Sequence, residues 1–158
     1  MYHRIVASRI RNVFAEINAG NWEAMISGMA DRFTYRFYGH SPLSGERHTA
    51  AALRMWWQRM DILLPNPTFT VEEVIVAGPP WSTRIATRVT VRTTLPDGSP
   101  YENLFMQQIS MRWARITQVH TLEDTATLQH ALDALAAAGI KEARAAPITD
   151  EMASAVGV

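Results

Sequence analysis

The sequence predicts an α+β fold in which helices at the start of the chain precede an antiparallel β-meander. Apolar residues near the N-terminus recur at steps of three and four, whereas apolar and polar residues alternate from residue 69 to residue 122. Gly- and Pro-rich turns divide that second half. We expect one domain over residues 1–158, with its core at about 5–135 and a tail at 141–158. Its expected shape is a conical barrel, in which a curved, mostly antiparallel sheet wraps around the N-terminal helices and encloses a pocket.

The first half of the chain predicts three helices and one strand. An apolar stripe with helical spacing ends at Asn18-Ala-Gly20, and Asn21 is a plausible N-cap for a second, short helix. Alternating aromatic and polar residues then indicate a strand, after which Thr49 is a plausible N-cap for a helix that stops before Pro65. The predicted elements are helices at 5–17 and 22–29, a strand at 33–38, and a helix between residues 49 and 65.

The second half predicts four strands and a last helix. Turn residues at Gly78-Pro-Pro-Trp81 and Pro96-Asp-Gly98-Ser separate the longer strands. Asp124 or Thr125 begins the helix, which ends at Gly139, and the Ala-rich tail beyond it predicts a short helix or coil. The predicted strands are residues 69–76, 83–95, 101–113 and 116–122.

Composition excludes several classes of protein. Fifteen basic residues balance fifteen acidic ones, and a nucleic-acid binder more often carries a basic excess. The chain has no cysteine, which excludes a disulfide framework and fits a reducing compartment. It has no apolar stretch of the roughly 20 residues that a membrane span needs. We therefore expect a cytoplasmic protein with no nucleic-acid or membrane partner, and the residue spacings give no reason to expect a metal or cofactor.

Three segments carry a resemblance to a known family. These are the N-terminal helix pair, the G-x-x-P-L-S-G loop that starts at Gly39, and the I-T-x-V-x-T-x-x-D segment that ends at Asp124. Over about residues 5–135 they resemble the nuclear-transport-factor-2-like superfamily, and within it the SnoaL-like, ketosteroid-isomerase-related proteins. The resemblance implies a conical fold, a homodimer formed through the sheet and a pocket for a hydrophobic small molecule. It leaves the chemistry open, because the family includes isomerases, cyclases, dehydratases, epoxide hydrolases and non-enzymatic modules.

The limonene-epoxide-hydrolase branch of the family provides a residue-level test. Its Tyr-x-Asn-x-Pro-Leu motif corresponds to Tyr38-Gly-His40-Ser-Pro42-Leu43, and its water-activating Arg corresponds to Arg88. Its two Asp positions fall on Thr90 and Thr121, and Thr121 also occupies the position of the catalytic Asp in SnoaL-type cyclases. The resemblance therefore implies a shared scaffold without the acid–base groups of these branches.

Three residues are candidates for catalysis. His40 is a candidate acid or base, because an imidazole titrates nearest to neutral pH, with Tyr38 and Arg88 polarising a substrate oxygen. The alternatives are that His40 is an exposed loop residue and that Arg88 belongs to a solvated face with Arg84 and Arg92. We predict that Tyr38 and His40 lie on one cavity, roofed by a tryptophan.

A further set of residues is expected to bind the substrate, although aromatic residues at such positions more often fill a core. The adjacent tryptophans are not expected to point the same way, so one packs in the core and the other faces the pocket. The predicted binding residues are Tyr35, Trp56, Trp57, Met60, Thr90, Asn103, Phe105, Gln107 and Thr121.

The sequence thus predicts a cofactor-independent enzyme of proton-transfer type: an isomerase, cyclase or dehydratase. The expected substrate is hydrophobic and polyketide-, steroid- or terpene-like. A non-catalytic ligand-binding or assembly module is the alternative that the missing carboxylates favour, and a diverged epoxide hydrolase is a weaker one.

Overall fold

A computed structural model describes residues 1–157 and shows helices packed on one face of a six-stranded sheet. The helices of the described chain are α1 (Tyr2–Asn18), α2 (Glu23–Ser27), α3 (Ala50–Leu63), α4 (Thr125–Ala137) and α5 (Asp150–Val156), with a 3-10 helix at Lys141–Arg144. The strands are β1 (Met29–Phe37), β2 (Gly45–Arg47), β3 (Thr68–Ala77), β4 (Thr83–Thr94), β5 (Pro100–Arg112) and β6 (Arg115–Glu123).

The sheet is mixed and open, in the order β2-β1-β6-β5-β4-β3. Only β1 and β6 pair in parallel, and the other neighbours are antiparallel. The predicted α+β fold with a mostly antiparallel sheet is confirmed. The barrel is not closed, since β2 and β3 are the two edges of the sheet.

The elements differ from the sequence-based prediction in several places, and β1 begins four residues earlier than predicted. The edge strand β2, in which Arg47 lies opposite Tyr35 of β1, is not among the predicted elements and follows the predicted G-x-x-P-L-S-G loop. Helix α2 is shorter than predicted, and its N-cap is Trp22 rather than Asn21, whose side chain instead donates to Glu16. A three-residue strand has no periodicity of its own, because it depends on pairing with a distant segment.

The core lies between the helices and the inner face of the sheet. Helix α1 buries an apolar stripe that includes Phe14, whose ring centroid lies 5.9 Å from that of Phe69 on β3. The Asn18 side chain accepts from the Phe69 amide at 2.8 Å and donates to its carbonyl at 2.9 Å, which fixes α1 to that strand. The predicted N-caps Thr49 and Asp124 are confirmed, because each accepts hydrogen bonds from amides in the first turn of its helix.

The C-terminal segment, residues 141–156, docks against β2 and α3. Ile148 and Ala153 are buried, and the Ile148 carbonyl accepts a 3.2 Å hydrogen bond from Arg47 Nε. The Asp150 carboxylate accepts hydrogen bonds from the backbone amides of His48 and Thr49 and from both of their side chains. The tail is therefore part of the folded unit. Within residues 1–157, no helix is both long enough and apolar enough to cross a bilayer.

Candidate functional site

A cavity of about 70 Å³ lies between the helices and the inner face of the sheet. Its walls come from α1, α2, α3 and five of the strands, and they are almost entirely apolar. Seven of the lining residues are aromatic: Phe14, Tyr35, Phe37, Trp56, Trp57, Phe69 and Phe105. Such a cavity, walled by apolar groups with a few polar groups at one side, has the character of a small-molecule site.

Among the residues that the structure describes, Glu123 is the one carboxyl group on this cavity. Strand alternation on β6 turns Val119, Thr121 and Glu123 to the inner face. Glu123 is half-buried, and part of it borders an outer cleft beside Asn103. Its Oε1 atom, however, is shielded from solvent. Within the described chain, Oε1 has no hydrogen-bond partner.

The environment of Glu123 favours its neutral form. Burial and, to a smaller extent, the neighbouring Asp124 carboxylate together raise the pKa of Glu123 from 4.5 to about 8. Near neutral pH the group is therefore mostly protonated, with an ionised fraction that is large enough for it to act as a base. A carboxyl group of this kind is a candidate general acid or base.

Three neutral polar side chains share the cavity wall with Glu123. Gln107 Nε2 donates to Thr121 Oγ1 at 3.1 Å, across the pair of strands β5 and β6. Burial raises the pKa of Tyr35 to about 12, against an opposing effect of the Arg47 guanidinium, so the phenol is a neutral hydrogen-bond donor at neutral pH. Tyr35, Gln107 and Thr121 can therefore orient a ligand oxygen without adding charge.

Trp56 and Trp57 both line the cavity and both are buried. Their rings meet edge to face with centroids 5.1 Å apart, so they form two different walls. The prediction that only one of them faces the pocket is wrong. Adjacent helix positions differ by about 100°, which still allows two large rings to border one cavity from different sides.

Arg47 packs against the ring of Trp56 but does not itself line the cavity. This guanidinium is fully buried, and it donates to the carbonyl oxygens of Leu43, Ser44 and Ile148. Its central carbon lies 5.7 Å from the Trp56 ring centroid, and Trp56 Nε1 donates to the same Leu43 carbonyl at 2.8 Å. Burial lowers the pKa of Arg47 to about 10, so the group stays cationic at neutral pH. It links the C-terminal segment to the cavity wall.

Most of the predicted binding residues lie on the cavity, and their role in binding stays a prediction. The residues from that set that line it are Tyr35, Trp56, Trp57, Met60, Phe105, Gln107 and Thr121. Thr90 and Asn103 do not. Thr90 donates to Glu72 at 3.0 Å, and the Asn103 amide donates to the Tyr101 hydroxyl and the Asp124 carbonyl, where it holds the end of β5 to the start of α4.

The predicted location of Tyr38 and His40 on the main cavity is wrong. Tyr35 and Phe37 point inward on β1, so strand alternation turns Tyr38 outward, where its hydroxyl lies 3.5 Å from His120 Nδ1. His40 is exposed and borders a separate shallow cleft. The loop instead buries Leu43, and it is Leu43 that reaches the cavity.

Arg88 lies on the outer face of the sheet. It is exposed and lies opposite Glu73 on β3 and Met106 on β5. Its predicted place in the interior is therefore wrong, because alternation on β4 puts Thr87 and Val89 inside and Arg88 with Arg84 and Arg92 outside.

Sequence reasoning missed Glu123, although a signal for it was present. Thr121 is one of the predicted binding residues, and a residue two positions further along a strand shares its face. Arg47 gave no comparable signal, since its partners include Ile148, which lies 101 positions away in the chain. Within the described residues, no group of three His, Asp or Glu side chains is arranged to hold a metal ion.

Comparisons with known proteins agree with this architecture. The family model described as SnoaL-like domain matches residues 10–119. No curated protein sequence matches the chain.

Solved structures with similar folds have low sequence identity to the chain. PrhC from Penicillium brasilianum is 15% identical with a TM-score of 0.72, covering 90% of this chain and 95% of its own. An NTF2-like protein of unknown function from Burkholderia pseudomallei is 15% identical with a TM-score of 0.70, covering 78% and 94%. A putative SnoaL-like polyketide cyclase from Jannaschia is 12% identical with a TM-score of 0.67, covering 82% and 92%. At such identities the likeness shows the fold alone.

Proposed function

Because the chain belongs to the SnoaL-like domain family, we propose that its cavity carries out proton-transfer chemistry without a cofactor, on a mostly apolar small molecule. The observation that carries this proposal is Glu123, a carboxyl group with a buried, unpaired oxygen on an apolar cavity. Proton-transfer catalysts need a pKa near the working pH, and burial brings the pKa of Glu123 to about 8.

The proposed reaction is the isomerisation of an unsaturated carbonyl compound through its enolate. The Glu123 carboxylate removes a proton from the carbon next to the carbonyl. The electrons of that C–H bond form a C=C bond, and the π electrons of the carbonyl move to its oxygen. The Tyr35 hydroxyl, neutral because burial raises its pKa to about 12, donates a hydrogen bond to that oxygen. The protonated Glu123 then returns the proton to a different carbon of the conjugated enolate, and the carbonyl forms again, so no other reactant is consumed.

The size of the cavity limits how much of a substrate can lie next to Glu123. The volume of about 70 Å³ is well below the roughly 150 Å³ of an engineered apolar cavity that holds benzene. The cavity as formed thus encloses only a few heavy atoms around the reacting carbon. A steroid- or polyketide-sized substrate would require the walls to move or would extend outside them.

Exchange of carbon-bound protons with solvent deuterium tests this proposal. Small ketones, from acetone to one-ring enones, are incubated in deuterated water with the wild type, Glu123→Gln and His40→Ala, and proton NMR measures the loss of the signal next to the carbonyl. We expect Glu123→Gln to lower the rate by roughly 10²- to 10⁴-fold, the usual contribution of a general base. His40→Ala should leave the rate unchanged, because His40 lies outside the cavity.

Two other outcomes would change the assignment. If proton exchange survives in Glu123→Gln but is lost in His40→Ala, the proton transfer would be assigned to His40 and not to Glu123. Tight ligand binding without any exchange in the wild type would favour a binding module over an enzyme.

A homodimer formed through the outer face of the sheet remains part of the proposal. That face exposes Leu104, Met106 and Leu122, and Met106 lies opposite Leu122 where β5 pairs with β6. Adjacent exposed apolar side chains on a sheet face are the kind of surface that a protein partner covers.

A further inference from the structure

The cavity has a carboxyl group but no basic side chain. Of its lining residues, Glu123 and Tyr35 are the ones that ionise, and none of those lining residues in the described chain is Arg, Lys or His. The Arg47 guanidinium lies behind Trp56 and its hydrogen bonds go to backbone carbonyls. An anionic ligand would therefore place its charge beside a carboxyl group without a counter-ion, which is strongly unfavourable in a buried site.

Aromatic rings line much of the rest of the cavity, at steep angles to one another. Trp56 and Trp57 meet at 86°, and Tyr35 meets Trp56 at 62° with centroids 5.2 Å apart. Phe105 lies directly opposite Glu123 across the two strands. Electron-rich ring faces attract cations, and groups of such rings recognise quaternary ammonium ligands.

We propose that this cavity selects small alkylammonium ions over neutral molecules of the same shape, with Glu123 as the counter-ion and the aromatic walls around the alkyl groups. The unpaired Oε1 of Glu123 is a free acceptor for the N–H of a protonated amine. A cavity of about 70 Å³ fits a ligand of a few heavy atoms. The inference rests on the proposed function for the location of the site, but it concerns binding and requires no turnover.

The charges that face Glu123 determine how binding depends on pH. Asp124, its neighbour in the chain, disfavours ionisation of Glu123. Tyr35 and Tyr101 both interact electrostatically with Glu123, and burial raises the pKa of each phenol, so both are uncharged near neutral pH. The empty site is therefore mostly protonated below about pH 8. A permanent cation prefers the ionised site, so its affinity should rise with pH through that value and then level off.

A matched pair of probes tests the inference. Tetramethylammonium carries a permanent charge, and tert-butanol is a neutral molecule of similar shape. Binding of each is followed by NMR chemical shifts of the tryptophan side chains, at about pH 6 and about pH 9.5, on either side of the pKa of Glu123. We expect the wild type to bind the cation at least roughly tenfold more tightly than tert-butanol at the higher pH, and to lose most of that preference at the lower pH.

Substitution at Glu123 separates the role of the charge from that of shape. Glu123→Gln keeps the size of the side chain, so it should bind tert-butanol as the wild type does but lose the preference for the cation and its pH dependence. His40→Ala should behave as the wild type. Equal affinity for both probes, binding of neither probe, or a cation preference that survives Glu123→Gln would each overturn the inference.

The test is independent of the proton-exchange experiment. Cation selectivity without any proton exchange would contradict the proposed function alone. If proton exchange depends on Glu123 but the protein shows no selectivity for the cation, only this inference would be contradicted.

Discussion

Glu123 lies directly opposite Phe105 where β6 pairs with β5, so a carboxyl group borders an aromatic wall of the cavity. The rings exclude water that would otherwise solvate the carboxylate, and this is the main reason for its raised pKa. The same pairing makes Glu123 the natural centre of a site that moves protons or holds a cation.

Protein stability should fall with rising pH because of Glu123. The unfolded chain ionises Glu123 near pH 4.5, whereas the folded protein keeps the proton up to about pH 8. The contribution of protonated Glu123 to stability is fully present below about pH 4.5 and is lost as the pH rises through about 8. Urea unfolding at several pH values measures this change.

Glu123→Gln provides the control for that experiment. The amide does not ionise, so the variant should be more stable than the wild type by up to a few kcal/mol near about pH 9.5, at about 1.4 kcal/mol for each unit of pKa shift. The difference should shrink towards acidic pH. A constant difference across the whole range would contradict burial of the carboxyl group.

Tyr35→Phe should slow proton exchange without unfolding the protein. Loss of one hydroxyl that binds the substrate oxygen should cost roughly tenfold or more in rate, because the developing charge loses a donor. Tyr101→Phe is the matched control, since Tyr101 is also buried but lies off the cavity beside Asn103. Equal effects of the two substitutions would argue against a role for Tyr35 in the site.

Arg47→Met should destabilise the protein by about 2–4 kcal/mol. The substitution leaves buried carbonyl oxygens of Ser44 and Ile148 without their donor and removes the support behind Trp56. Near-UV circular dichroism of the folded variant should also change, because Trp56 loses its packing partner. Arg92→Met, at an exposed arginine on the outer face, should change neither stability nor spectrum appreciably. If Arg47→Met has the same free energy of unfolding as the wild type, the proposed stabilising role of Arg47 beside Trp56 would be contradicted.

Met106→Glu should dissociate the proposed homodimer. Met106 is 53% exposed at the centre of the outer apolar surface formed with Leu104 and Leu122. A charge there would be buried by the partner, so light scattering should change from a dimeric to a monomeric mass. Ile5→Glu, on the exposed side of α1, is the control and should leave the mass unchanged. A monomeric wild type would contradict the dimer.

The secondary structure was largely readable from local patterns. Periodicity and turn residues located the long helices and strands, because amphipathic stripes and alternation are properties of neighbouring residues. The two N-caps Thr49 and Asp124 follow from the same local chemistry. The strand β2 was not predictable in this way, since it forms by pairing with β1, an interaction that local patterns do not show.

The site was predictable only in part, and the errors have specific causes. Tyr35 and Tyr38 were both placed on the cavity, although residues three apart on a strand face opposite sides. His40 was assigned from a motif whose loop conformation depends on how Leu43 packs into the core. Glu123 could have been found from alternation with Thr121, but the significance of its burial depends on the aromatic residues that other strands and helices bring to it.

Titration of the Glu123 side-chain carboxyl carbon by NMR is the most direct test of the central claim. The protein is labelled with carbon-13 glutamate, and Glu123→Gln assigns the resonance that disappears. We expect this one signal to titrate with a midpoint near pH 8. A midpoint close to the ordinary value of 4.5 would show an ionised, solvated carboxylate and would contradict the assignment of Glu123 as the proton-transfer group of a buried site.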